Sequence, residues 1–245
     1  MLLAIDIGNT LTKFGVFEGE SLHSRTAIPT VRHCAAEEIR NQTNFENIRA
    51  VIISSVVPET ENAYRKFSKK HLSLKPVFVD YTFDFNLKIN YHPPESLGID
   101  RLVNAFSAVE KYGAPCIVCS LGTATTIDAV SGNREFLGGA IAPGMFLMSE
   151  MLAQKTSRLS GVTFGTIKGV FGNSTEQSIQ AGIHYGSGGL IDRIIEEMID
   201  ELGVQPKIIS TGGAARRAAA FSKKIKLIDE NLLLEGLRII YENLR

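Results

Sequence analysis

One arrangement occurs twice in this chain, and it restricts the folds open to it. The apolar run Leu2-Leu3-Ala4-Ile5 enters Asp6-Ile7-Gly8-Asn9-Thr10-Leu11-Thr12-Lys13 and leaves through Phe14-Gly15-Val16-Phe17. Near Pro115 the pattern restarts: Cys116-Ile117-Val118-Cys119 enters Ser120-Leu121-Gly122-Thr123-Ala124-Thr125-Thr126 and leaves through Ile127-Asp128-Ala129-Val130. Laid over one another, Ser120 falls on Asp6, Gly122 on Gly8 and Thr123 on Asn9. Each copy reads as strand, Gly-hydroxyl turn, strand, and each gains a third strand, Ser21 to Ile28 in the first and Phe136 to Ala142 in the second. A repeated supersecondary unit of this size predicts two related α/β lobes, residues 1–113 and 114–245, with mixed sheets flanked by helices and a ligand cleft between them.

The first turn has the composition of a phosphate-binding loop. A carboxylate is followed by Gly and Asn, which tolerate positive φ, then by hydroxyls and a Lys. Asp6 can hold a hydrated Mg²⁺, while Asn9, Thr10, Lys13 and, from the second copy, Thr123 can cradle phosphate oxygens. Taken alone, the stretch is equally an ordinary Gly-Asn hairpin with Asp6 capping the turn. Its recurrence favours a nucleotide gripped by one loop from each lobe.

Between the copies, Ala35 to Asn41 predicts a short helix, and Ile48 to Ser54 a near-continuous apolar strand of the kind buried on both faces. Pro58 suits the first turn of a helix running through Ala63, Phe67 and Lys70, and Val77 to Val79 is a further short strand. Then His92-Pro93-Pro94-Glu95-Ser96-Leu97-Gly98-Ile99-Asp100-Arg101 precedes apolar residues at helical spacing, Leu102, Val103, Phe106 and Val109. Asp100 and Arg101 therefore stand in the first turn of a helix. An acid there compensates the helix dipole in many proteins, and it can also accept a proton from an alcohol. Arg101 offers a fork for an anion.

After the second copy, Pro143-Gly144 opens a helix with Met145, Leu147, Met148, Met151 and Leu152. Residues 155–174 are turn-rich, and Gly172-Asn173-Ser174-Thr175 precedes a long amphipathic helix reaching Leu202, with the Thr175 hydroxyl available to a polar ligand. The run Gly186-Ser187-Gly188-Gly189 has no strand before it, so it is not a dinucleotide fingerprint and reads as close packing against a helix or a base. Pro206 to Ser210 is a strand, Thr211-Gly212-Gly213-Ala214 a tight strand-to-helix turn, Ile225 to Ile228 a short strand, and Asn231 to Leu244 a final helix.

Composition narrows the function classes. With 26 basic and 26 acidic side chains among 245 residues the formal net charge is zero, which argues against a nucleic-acid surface. No apolar run has the length of a membrane span, and no basic segment with a signal-type apolar core opens the chain, so no membrane partner and a cytoplasmic location are expected. Cys34, Cys116 and Cys119 are an odd number without a second Cys/His pair at ligand spacing. Cys116 and Cys119 read as fillers of a buried strand.

The stretches Asp6 to Thr10, Ser54-Ser55-Val56-Val57-Pro58, Gly98 to Arg101, Gly122 to Thr126, Gly138 to Gly144 and Thr211 to Gly213, in this order, resemble the actin-like, ribonuclease-H-like phosphotransferases. Within them the chain is most similar to the type III pantothenate kinases, over nearly its whole length. The resemblance implies transfer of phosphate from Mg-ATP to the primary hydroxyl of pantothenate, the first step of coenzyme A biosynthesis. It implies ATP binding by Asp6, Ile7, Gly8, Asn9, Thr10, Leu11, Thr12, Lys13 and Thr123, and pantothenate binding by Tyr91, Gly98, Ile99, Asp100, Arg101 and Thr175, with Asp100 as general base. A homodimer with substrate near its interface is implied too, as is a monovalent cation, K⁺ or NH₄⁺, held by an acid heading the second loop. Here that position is Ser120, which brings no charge. Two rival readings stand beside this one: a kinase of the same fold for another small alcohol, and a catalytically weak nucleotide-binding regulator.

Overall fold

Leu2–Ile7 forms β1, buried along its whole length, as an unbroken apolar run in the middle of a sheet should be. The computed structural model describes residues 1–32, 39, 45–155, 164, 165, 167 and 169–244. Of the helix expected over Ala35 to Asn41 the described residues include Ile39, helical and buried in the first unit's core; the remainder, and Cys34, lie outside them. Two compact units are present, one of Met1–Leu87, Tyr91–Ser107 and Asn231–Arg245, the other of Lys88–Asn90 and Ala108–Glu230.

In the first unit, β1 joins β2 (Leu11–Glu18), β3 (Ser21–Pro29), β4 (Ala50–Ser55) and β5 (Val77–Phe78) in a five-stranded sheet of order β3-β2-β1-β4-β5. β1, β2 and β3 form an antiparallel meander, and β1, β4 and β5 run parallel. Odd residues of β1 pack with Phe14, Val16, Val51, Ile53 and helix α1 (Pro58–His71) through Tyr64 and Phe67. Pro58 opens α1, with Glu59 and Glu61 in its first turn and Lys69, Lys70 and His71 in its last, a polarity that complements the helix dipole. β3, at the sheet edge, is largely exposed and polar, as edge strands must be to resist further pairing.

Helix α2 (Ile99–Tyr112) follows the turn at 94–98, and the last helix, α6 (Leu232–Asn243), contacts β1, β2 and β4 of the same unit. Gly236 permits α6 to lie against α2: a Cβ there would stand 2.9 Å from Ser107 Cβ and 3.0 Å from both Val103 Cγ1 and the Val103 carbonyl oxygen. Gly236→Ala is therefore expected to lower stability by about 1 kcal/mol, because the overlap with backbone outweighs the gain in helix propensity. Urea denaturation checks this, and a more stable variant would contradict the packing argument.

The second unit repeats the plan. β7 (Cys116–Leu121), β8 (Ala124–Val130), β9 (Glu135–Pro143), β10 (Lys207–Thr211) and β11 (Leu227–Ile228) join β6 (Lys88–Ile89) in the order β11-β10-β7-β8-β9-β6. Read from β9 to β11 this is the order β3-β2-β1-β4-β5 again, with the same directions: β7–β8 and β8–β9 antiparallel, β7–β10 and β10–β11 parallel. The duplicated sequence is a duplicated topology. β6 is an addition at the edge, too short to have been read from pattern.

Helices α3 (Met145–Lys155), α4 (Thr175–Leu202) and α5 (Ala215–Ala219) belong to the second unit. α4 is bounded by chemistry: the Ser174 hydroxyl oxygen accepts from Gln177 N at its start, and Gly203, at φ 64°, ends it in the left-handed conformation. Gly188 lets this helix touch backbone, since a Cβ there would lie 2.1 Å from the Phe221 carbonyl oxygen. Of the two uses the glycine run could serve, packing is the one observed at Gly188. Burial pushes the Cys116 thiol up to about 12. It raises the Cys119 thiol as well, with the charges of Asp128 and Asp192 adding to it. Both are neutral thiols that fill the core. Among the described residues no helix is long and apolar enough to cross a membrane.

Candidate active site

At the end of β1 the run of apolar side chains stops at a carboxylate. Asp6 is buried, 4% exposed, and lies in register between Lys13 on β2 and Ser54 on β4. Cross-strand neighbours share a face, so three polar groups converge. Ser54 Oγ donates to Asp6 Oδ1 at 3.1 Å and Lys13 Nζ to Asp6 Oδ2 at 3.2 Å. The Lys13 charge offsets the cost of keeping the carboxylate ionised out of water. Ser54 was not among the site residues expected from the sequence. Its partner is 48 positions away, and only the parallel pairing of β1 with β4 joins them.

The turn beyond Ile7 is held by its own backbone and by two flanking segments. Gly8 N donates to the Leu11 carbonyl at 3.1 Å, Val56 N to the Ile7 carbonyl at 3.0 Å and Thr30 N to the Thr10 carbonyl at 2.9 Å. Asn9, Thr10 and Leu11 stand exposed, whereas Ile7 and Thr12 are wholly buried. The strand alternation explains Thr12: it shares a face of β2 with Phe14 and Val16, which pack in the core.

The same unit carries the α2 mouth. The carbonyl of Gly98 accepts from Arg101 N at 3.1 Å and Leu102 N at 3.3 Å, so the helix begins there. Asp100 is half-buried, with its carboxylate turned back over Gly98; a Cβ at position 98 would lie 2.6 Å from Asp100 Oδ1. Arg101 is 5% exposed. Its Nη1 donates to the Tyr91 phenol oxygen at 3.3 Å, and its guanidinium carbon sits 5.4 Å from the Tyr91 ring centre. Tyr91, Gly98, Ile99, Asp100 and Arg101 thus form one local group, with Arg101 locked against the aromatic ring.

In the second unit the turn after β7 is tighter. Gly122 N donates to the Ala124 carbonyl at 2.9 Å and Gly144 N to the Thr123 carbonyl at 3.0 Å, leaving Thr123 exposed at the tip. No side chain fits at position 144, where a Cβ would lie 2.2 Å from the Gly122 carbonyl oxygen. Ser120 lies in register between Thr126 on β8 and Thr211 on β10, the places that Lys13 and Ser54 occupy around Asp6. Where the first unit has an ion pair and a hydroxyl, the second has three hydroxyls. Thr126 Oγ1 is buried and makes no hydrogen bond among the described residues. Thr175 stands exposed at the first position of α4 in this unit.

The residues also bear on a metal. Among the described residues no three His, Cys, Asp or Glu side chains cluster to hold an ion. A single buried carboxylate flanked by hydroxyl and ammonium donors fits a divalent ion that keeps most of its waters and arrives with phosphate oxygens.

Two mixed sheets of the same order, each with a Gly-hydroxyl turn at the end of its central strand, define an actin-like α/β fold of the phosphotransferase type. Solved structures share that fold over nearly the whole chain. A Campylobacter jejuni protein assigned to the Baf family of transcriptional activators superposes with a TM-score of 0.62 at 21% identity, covering 98% of both chains. The activator of 2-hydroxyisocaproyl-CoA dehydratase from Clostridium difficile, with bound ADPNP, gives 0.54 at 12% identity over 99% of this chain and 96% of its own. The family follows from sequence. Residues 2–197 match the model of the type III pantothenate kinases. The type III pantothenate kinase of Koribacter versatilis (strain Ellin345) is 40% identical over 261 residues, covering 99% of this chain and 95% of the relative. The chain belongs to the type III pantothenate kinase family.

Proposed function

We propose that this chain transfers a phosphoryl group from ATP to the primary hydroxyl of pantothenate, giving 4′-phosphopantothenate in the first step of coenzyme A biosynthesis. The observation that carries the reading, beside the family, is the pairing within one unit of a phosphate-type loop headed by the buried Asp6 with a helix-mouth carboxylate at Asp100. Phosphoryl transfer to an alcohol needs the hydroxyl positioned, the phosphate charge neutralised and a base for the proton. In this reading the exposed tip residues Asn9 and Thr10 donate to phosphate oxygens, and Lys13 shares its charge between Asp6 and the nucleotide. Thr123 is the corresponding donor of the second unit's turn. Asp6 would hold Mg²⁺ through water, and the ion when bound supplies charge neutralisation on the phosphates. Asp100 takes the hydroxyl proton. Arg101, fixed by Tyr91, and Thr175 bind the polar groups of pantothenate.

The two repeated halves follow one another in the chain near residue 113, with the final segment Asn231–Arg245 returning to the first unit, and the active form is a homodimer in the cytoplasm. An apolar surface on the second unit supports the dimer: Leu137 and Ile141 share the exposed face of β9, and Phe146 and Met151 are exposed on α3. The head of the second loop offers a monovalent cation no acid. Ser120, Thr126 and Thr211 provide oxygens without a charge, so turnover is expected to be the same in K⁺, NH₄⁺ or Na⁺ salts. In Ser120→Asp a new unit charge at about 4 Å is worth about 1 to 4 kcal/mol, and the rate should then rise about tenfold or more on K⁺ titration. A wild-type enzyme that needs K⁺ would remove this account of Ser120. The function itself is tested by ADP release from Mg-ATP with and without pantothenate; nucleotide binding with no pantothenate-dependent turnover would sink it.

A further inference from the structure

We infer that Thr30 is a positioning residue that sets the nucleotide loop for phosphate binding, an inference that rests on the ATP-dependent reading above. Thr30 follows Pro29, the last residue of β3, and is separated from Gly8 by 22 positions in sequence. Three contacts tie it to the loop. Thr30 Oγ1 donates to the Gly8 carbonyl at 2.7 Å, Thr30 Oγ1 and Thr12 Oγ1 are 3.0 Å apart, and Thr30 N donates to the Thr10 carbonyl at 2.9 Å.

The direction of each bond follows from proton count. A hydroxyl has one proton, and that of Thr30 goes to Gly8. Thr12 is therefore the donor in the hydroxyl pair, and its own proton is committed to Thr30. Buried at 0% exposure, Thr12 is a support of the loop and not a phosphate ligand. The relay Thr12 to Thr30 to Gly8 turns the Gly8 carbonyl inward. In a trans peptide the next N–H points the opposite way, so the Asn9 amide is aimed away from Thr30, at the exposed tip. Fixing that amide before the nucleotide arrives spares an ordering cost at binding.

The second unit uses the same place in the fold for the same task. β9 also ends on a proline, Pro143, and the next residue, Gly144, donates its N–H to the tip residue Thr123 at 3.0 Å. There the side chain is excluded by the 2.2 Å approach to the Gly122 carbonyl oxygen, and the clasp is backbone alone. In the first loop the relay runs through a side chain, and that loop is the one that follows a buried carboxylate.

The test is Thr30→Val, which keeps the shape and removes the hydroxyl, beside Thr30→Ser, which keeps the hydroxyl. Affinity for a non-hydrolysable ATP analogue with Mg²⁺ is measured by calorimetry, and KM for ATP, KM for pantothenate and kcat by steady-state kinetics. Thr30→Val leaves the Gly8 carbonyl and the Thr12 hydroxyl without their partner, so analogue affinity and KM for ATP should worsen about tenfold, with KM for pantothenate unchanged. Thr30→Ser should restore wild-type binding. Wild-type analogue affinity in Thr30→Val overturns the inference, as does a loss in Thr30→Ser equal to that in Thr30→Val. If Thr30→Val fails to fold, a tenfold loss of analogue affinity in a folded Thr30→Ser overturns it equally. The calorimetric readout needs no turnover: a wild type that binds the analogue and ignores pantothenate would defeat the proposed substrate and leave the clasp standing.

Discussion

Asp100→Asn is expected to lower kcat for pantothenate phosphorylation by about 10² to 10⁴-fold, with the melting temperature nearly unchanged. The amide has the volume of the carboxylate but cannot accept a proton, so the loss falls on the chemical step. Three features favour Asp100 as the proposed base. It lies in the first turn of α2, where the helix N-terminus favours the ionised form. It is half-buried, so its orientation is restrained while access to a substrate remains. Its carboxylate occupies the space left by Gly98, where a Cβ would come within 2.6 Å of Oδ1. Losing the charge at a helix N-terminus costs about 0.3 to 1 kcal/mol of stability, which a thermal melt separates from the kinetic effect. Near-wild-type kcat in a folded Asp100→Asn would mean that another group accepts the proton.

The duplicated topology was legible because it is written in local pattern. An unbroken apolar run marks each central strand, β1 and β7, and a Gly-hydroxyl turn marks the end of each. What lay outside that reading is non-local. Ser54 and Thr30 contact the first loop across 48 and 22 positions, and no periodicity announces a hydrogen bond closed by strand pairing. Two-residue β6 is too short to carry a pattern, and α6 is amphipathic in the sequence without any sign that it packs on the first sheet. Thr12 is different, because a signal was present. The family resemblance implied a nucleotide role for all of 6–13, yet the even parity Thr12 shares with Phe14 and Val16 marks its side chain as inward. The exposed polar residues of that stretch, Asn9 and Thr10, with the half-buried Lys13, are the ones the proposed nucleotide role falls to.

Gly212→Ala is expected to destabilise the protein by about 2 to 5 kcal/mol, whereas Gly213→Ala, one residue on, should be neutral or stabilising by up to about 1 kcal/mol. The two glycines look alike in sequence and differ in cause. Gly212 has φ 95°, a conformation costing an L side chain about 1 to 2 kcal/mol. A Cβ there would also stand 2.4 Å from the Leu121 carbonyl oxygen and 2.9 Å from Leu121 N. The turn cannot retreat, because Ala214 N donates to that same carbonyl at 2.9 Å and β10 is paired to β7 through Thr211 and Ser120. Gly213 has no heavy atom within 4 Å of a built Cβ and no positive φ. Substitution there removes freedom mainly from the unfolded chain. Urea midpoints of the two variants, read by far-ultraviolet circular dichroism, separate the cases. The Gly212 defect reaches function as well: Leu121 leads into the Gly122-Thr123 turn, so displacing its carbonyl displaces the tip. Equal stability losses at 212 and 213 would show that the turn yields as a whole, and that the close approach of Gly212 to β7 does not hold the second loop in place.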